Sequence, residues 1–125
     1  MTLTTTTAFR TLVARAIMGD TVDMLPATLK LGTGHFTGGV LVPPIPSETD
    51  LDTVAISGVT LTVERVGALV RCTAEIVGGA TEYDITEAGL FTAAGTMVLI
   101  DVFRPRTLTN GLTFDFRYTL IPEVN

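Results

Sequence analysis

Leu112-Thr113-Phe114-Asp115-Phe116-Arg117-Tyr118-Thr119-Leu120-Ile121 puts an apolar or aromatic residue at every second position and a polar one between. That period of two belongs to a β-strand with one face in a core and one in water. The run follows Asn110-Gly111, a dipeptide suited to tight turns. Working back from it, Val70, Cys72, Ala74 and Ile76 alternate with Leu69, Arg71, Thr73 and Glu75, while Val59, Leu61 and Val63 alternate with Thr60, Thr62 and Glu64. The turn between these two runs, at Val66-Gly67, makes them a hairpin. A second hairpin joins Tyr83–Ala93 to Thr96–Phe103 across Ala94-Gly95. Further back, Ala27-Thr28-Leu29-Lys30-Leu31 is another half-buried strand.

The N-terminal region has a different period. Phe9, Leu12, Val13, Ala16 and Ile17 fall at helical spacing, predicting one amphipathic helix over about residues 5–18. Thr5, Thr6 or Thr7 would cap it, and Gly19 would end it in the left-handed conformation. Between about residues 32 and 53 the chain holds Gly32, Gly34, Gly38, Gly39, Pro43, Pro44 and Pro46, which predicts a long irregular loop. Loops of this length are usually functional, and the apolar Val40, Leu41, Val42 and Ile45 mark this one as a docking loop. About six strands, one helix and this loop predict a mainly β protein, an antiparallel β-sandwich or small barrel in a single domain over residues 1–125.

Composition limits the partners. Only 17% of the 125 residues are charged and 46% are hydrophobic. A surface so poor in charge exposes apolar patches, which points to self-association or a larger assembly. The net charge of -5 and a single lysine, Lys30, argue against nucleic acid. No apolar run is long enough for a membrane-spanning helix, and the N-terminus lacks the pattern of a secretion signal. The one cysteine, Cys72, has no second cysteine to bond and sits on an apolar strand face, where a small buried hydrophobe is expected.

Candidate chemistry is sparse. His35 is the only histidine, so paired-histidine metal motifs are excluded, and a small hydrolase built on His35 and a carboxylate has no other support. An exposed or interface-lining loop residue is the expectation for it. Gly32-Thr33-Gly34 lacks both the following helix and the Gly-Lys-Ser/Thr of a phosphate loop. The carboxylates Asp20, Asp23, Asp50, Asp52, Glu82 and Asp84 lack the alternating ligand pattern of a calcium loop and read as turn and surface residues. Neither catalytic, cofactor nor metal residues are assigned, and no small-molecule substrate is expected. Glu87 stands apart: it lies between Ile85 and Ala88-Gly89-Leu90-Phe91, where an unpaired buried carboxylate is costly. Arg104, Arg106 or Arg117 is the expected partner, in a structural or intersubunit ion pair.

Tyr83-Asp-Ile-Thr-Glu-Ala-Gly-Leu-Phe91, Ala94-Gly95-Thr96, Phe103-Arg-Pro105 and Asn110-Gly111-Leu112-Thr-Phe114-Asp-Phe116-Arg-Tyr118, together with the upstream Leu29-Lys-Leu31-Gly32-Thr-Gly34, occur in one order. This pattern resembles small tail proteins of bacteriophages: tail-fibre, tail-collar and baseplate-associated modules. The resemblance spans about two-thirds of the chain and is strongest over residues 83–120. It lacks a Glu-x-x-Arg after the long loop and a fibre shaft after Asn125. The resemblance implies a structural virion protein folded in the bacterial cytoplasm, without enzymatic activity, forming a homo-oligomer such as a trimer and contacting other tail or baseplate proteins. The alternative is a carbohydrate- or receptor-binding β-sandwich module at a host-facing tip.

Overall fold

The computed structural model describes residues 2–120 and is mainly β, with three antiparallel sheets and one helix in a sandwich-like arrangement. The five-stranded sheet has the order β1-β9-β8-β2-β5, with β1 at Thr2–Thr5, β2 at Pro26–Gly32, β5 at Val54–Thr60, β8 at Tyr83–Thr92 and β9 at Met97–Leu108. The three-stranded sheet is β10-β7-β6, from Thr113–Leu120, Leu69–Val77 and Thr62–Val66. Inside the Gly/Pro loop a two-stranded ribbon pairs β3 (Phe36–Thr37) with β4 (Val40–Leu41).

Both hairpins form where turn chemistry places them. Val66 pairs with Leu69 around Gly67, and the β8–β9 connection turns at Gly95; both glycines have positive φ, 63° and 93°. On β10, Phe114, Phe116, Tyr118 and Leu120 are buried and Thr113, Asp115, Arg117 and Thr119 exposed, as the alternation predicts. Ile121 lies outside the described residues.

Two features differ from expectation. Val59-Thr60-Leu61-Thr62-Val63 is not one strand: β5 pairs with β2, and after Leu61, whose N–H donates to Ala27 O, β6 pairs with β7 in the other sheet. An unbroken alternation hides this because both halves keep the same inward face. The threonine-rich start is also not merely a cap: Thr2–Thr5 adds β1 to the edge of β9, Thr2 opposite Val102 and Thr5 opposite Leu99. Backbone pairing along an open edge needs no apolar side chains.

Helix α1 spans Thr7–Ile17, with Thr6 as its cap. The Thr6 side-chain oxygen accepts from Phe9 N at 3.1 Å, and the same hydroxyl donates to Met97 O. Of the apolar stripe, Val13 is buried and Phe9 packs on the core, whereas Ile17 stays 59% exposed. Gly19 takes a φ of 92°, the left-handed end the sequence anticipates.

The core between the sheets contains Leu29, Leu31, Ile85, Leu90, Leu99, Phe103 and the β10 aromatics. A second cluster of Leu51, Phe91, Met97, Ile100 and Val102, with Leu41 packed against it, lies on the outer side of β8 and β9. The long loop folds back over that outer face, so β8 is buried on both sides from Ile85 to Thr92. Thr6 joins a helix cap to the sheet from a fully buried position. Thr6→Ala should therefore cost about 2 kcal/mol in denaturant unfolding, the upper end for a cap, while Thr6→Ser should keep most of it.

Candidate functional site

The outer-face position on β8 that faces the loop is Glu87, fully buried. Four donors converge on its carboxylate. Oε2 accepts from Gly34 N at 2.8 Å and Thr53 N at 2.9 Å; Oε1 accepts from Asp52 N at 2.9 Å and lies 2.8 Å from His35 Nδ1. The backbone donors come from the two ends of the long loop, so one side chain ties its entry to its exit. Thr33 N donates to Thr53 O alongside, and the Thr86 hydroxyl donates to Gly34 O. This is the satisfaction a buried carboxylate demands, supplied by three peptide N–H groups and the His35 ring in place of a guanidinium.

The expected ion pair of Glu87 with Arg104, Arg106 or Arg117 is therefore corrected. All three arginines are exposed, and the Arg106 guanidinium lies 4.5 Å from the Phe114 ring centroid. Glu87 is too deeply enclosed for an arginine of a neighbouring subunit to reach it either. Gly32 and Gly34 serve this carboxylate rather than a phosphate. A Cβ on Gly32 would run into Glu87 Oε2 and Thr53 O, and one on Gly34 into the Asp52 side chain and Glu87 Oε2. Only glycine lets the backbone approach so closely.

His35 is a second correction: it is buried, 6% exposed, with a left-handed φ of 55°. Its N–H donates to Asp52 Oδ2 at 3.2 Å and its carbonyl accepts from Val42 N at 2.8 Å. Its second ring nitrogen, Nε2, lies 2.8 Å from Glu48 Oε1. A ring nitrogen facing a carboxylate has to carry a proton, so two such contacts fit the imidazolium form. Burial alone would lower the His35 pKa, but hydrogen bonds to Glu48 and Glu87 and the charge of both outweigh it, leaving the pKa above the usual 6.5. With both nitrogens held, the ring acts as a strut rather than an available base.

The docking-loop residues fall outside this clamp. Val40, Val42 and Ile45 are exposed at 65%, 44% and 56%, while the partly buried Leu41 packs against the outer cluster on β8 and β9. A cleft of about 340 Å³ separates Phe36, Val40 and Leu41 from Arg104 and Pro105 of β9, so the loop tip and the Phe103-Arg-Pro105 motif share one surface. The remaining carboxylates are dispersed: Asp20 pairs with Arg15, Asp50 with Lys30, Asp84 accepts from Thr107, Asp23 accepts from Leu25 N, and Glu82 is exposed. Cys72 is buried in the core, which pushes its thiol pKa up.

Sequence reasoning missed Glu48 and Thr86, whose roles depend on where the loop returns. It also missed a buried pair between the sheets: the Tyr118 hydroxyl donates to Asp101 Oδ2 at 2.8 Å. Burial pushes the Asp101 carboxyl up, partly offset by the Tyr118 hydrogen bond, and burial followed by the Asp101 charge pushes the Tyr118 phenol up. Asp101 lies within the apolar run Met97–Phe103, which by itself reveals neither the face it takes nor its partner.

Comparison of the chain with protein-family models, with curated proteins and with solved structures finds no match.

Two outcomes follow from the clamp. Glu87→Gln removes the charge and turns an NH₂ group toward a donor, so it should lower unfolding free energy by about 3–5 kcal/mol in urea titrations. Because the folded-state pKa of His35 is raised, its stabilisation is complete below the usual 6.5 and is lost as pH rises through the raised value. Melting temperature should accordingly fall as pH rises from the usual 6.5 through the raised folded-state value, and His35→Asn should flatten that slope.

Proposed function

We propose that this chain is a structural protein of a bacteriophage tail or baseplate, an oligomeric assembly, adaptor or fibre-attachment module that works by docking and carries out no reaction. The observation that carries the reading is the loop from Thr33 to Thr53: it presents Val40, Val42 and Ile45 to solvent while its two ends are fastened to Glu87. A loop held in place before contact loses little conformational entropy on binding, so its apolar area is available for affinity. The low share of charged residues, 17%, supports the same reading. The sequence resemblance to small phage tail proteins supplies the setting: the virion, with copies of itself and other tail proteins as partners.

The carbohydrate-recognition alternative has less to draw on, because Phe91, Phe103, Phe114, Phe116 and Tyr118 are buried and leave few aromatic faces for a sugar. Among the described residues no helix is long and apolar enough to cross a membrane.

Immunogold electron microscopy of purified phage particles should label the tail or baseplate, and the double substitution Val40→Asp with Ile45→Asp should abolish incorporation without moving the melting temperature. Absence of the chain from purified particles, together with a strictly monomeric species in light scattering, would overturn the proposal.

A further inference from the structure

The sandwich has five exposed strand edges among the described residues, and four of them are interrupted or short. β1 has four residues and β6 five. β5 contains register shifts against β2 and a left-handed Gly58. Beyond its pairing with β1, β9 carries the exposed Pro105, which offers no N–H. Such breaks are how β-proteins keep edges from pairing. β10 has none of them. Its eight residues pair with β7 without a register shift, contain no proline or glycine, and are bordered by open clefts of about 190 and 330 Å³.

The β10 sequence is also complementary to itself. In an antiparallel pair of two copies centred on Phe116, Asp115 stands opposite Arg117 of the partner subunit, and Arg117 opposite Asp115 of the partner subunit. Phe114 then meets Tyr118 of the partner subunit on the core-facing side, and Thr113 meets Thr119 of the partner subunit on the other. Other registers are worse. A shift of two residues sets Asp115 against Asp115 or Arg117 against Arg117, and like charges directly opposite are unfavourable. A shift of one residue sets exposed positions against buried ones. Within one chain Asp115 already faces a like charge, Glu75 on β7, and neither Asp115 nor Arg117 forms an ion pair among the described residues.

We propose that β10 is a self-association edge: two copies pair antiparallel about a twofold axis through Phe116, fusing their three-stranded sheets into one continuous sheet held in register by two Asp115–Arg117 pairs. The inference rests on the self-association in the reading above and specifies its surface. An isologous contact of this kind closes at two copies, so higher oligomers are built from dimers or through a second surface.

Sedimentation equilibrium on the full chain tests it by charge reversal. The wild type should be dimeric. Asp115→Arg alone and Arg117→Asp alone each turn both cross-strand pairs repulsive and should weaken the dimer by about tenfold or more. The double variant D115R/R117D should restore it. Asp115→Arg also gains an intrachain partner in Glu75, so its melting temperature should hold or rise while assembly is lost, which separates dissociation from misfolding. A monomeric wild type overturns the proposal together with the self-association it rests on. Single variants that associate like the wild type, or a double variant that stays dissociated, overturn the β10 edge alone and leave self-association through another surface. Incorporation into phage particles is read independently.

Discussion

A single carboxylate with no charged arginine partner governs the outer half of this protein. Glu87 is sealed from water, and its cost of burial is offset by three peptide N–H groups and an imidazole. Because those groups come from both ends of the long loop, satisfying the carboxylate and ordering the loop are the same event. The second apolar cluster then becomes possible: Leu51 and Leu41 settle over Phe91, Met97 and Ile100 only when the loop lies back across β8 and β9. Gly32 and Gly34 are the sequence cost of the arrangement, since any side chain there would displace the carboxylate or the backbone bonded to it.

How much of this was legible in the residues depends on the physics involved. Period-two alternation is imposed by the strand itself, so β2, β7, β8 and β10 could be placed with nearly correct limits. β1 escaped notice because an edge strand needs only backbone partners, and Thr2–Thr5 offers no alternation. The β5–β6 corner escaped because alternation records which face is inward, not which sheet. Glu87 was recognisable as a buried carboxylate in want of partners, but charge-to-charge reasoning pointed to Arg104, Arg106 or Arg117. Three of the four donors are main-chain N–H groups, which every residue but proline carries and no sequence pattern distinguishes. His35 was misjudged for a related reason: flanking glycines suggested exposure, whereas they make room for a close approach.

Function divides along the same line. The loop's apolar residues and the scarcity of charge can be read directly, and the docking role proposed above starts from them. The shape in which those residues are offered was not readable, because it follows from contacts between segments far apart in the chain.

That separation in sequence gives the clamp a temporal meaning. Gly34 and His35 are 53 and 52 positions from Glu87, so their bonds close only after β8 has been synthesised and inserted between β2 and β9. Contacts of such span carry a larger loop-closure entropy than local ones. The loop therefore takes its final shape only once β8 is in place beside β2. A nascent chain that ends before β8 lacks Glu87 and cannot yet hold the loop in its finished shape.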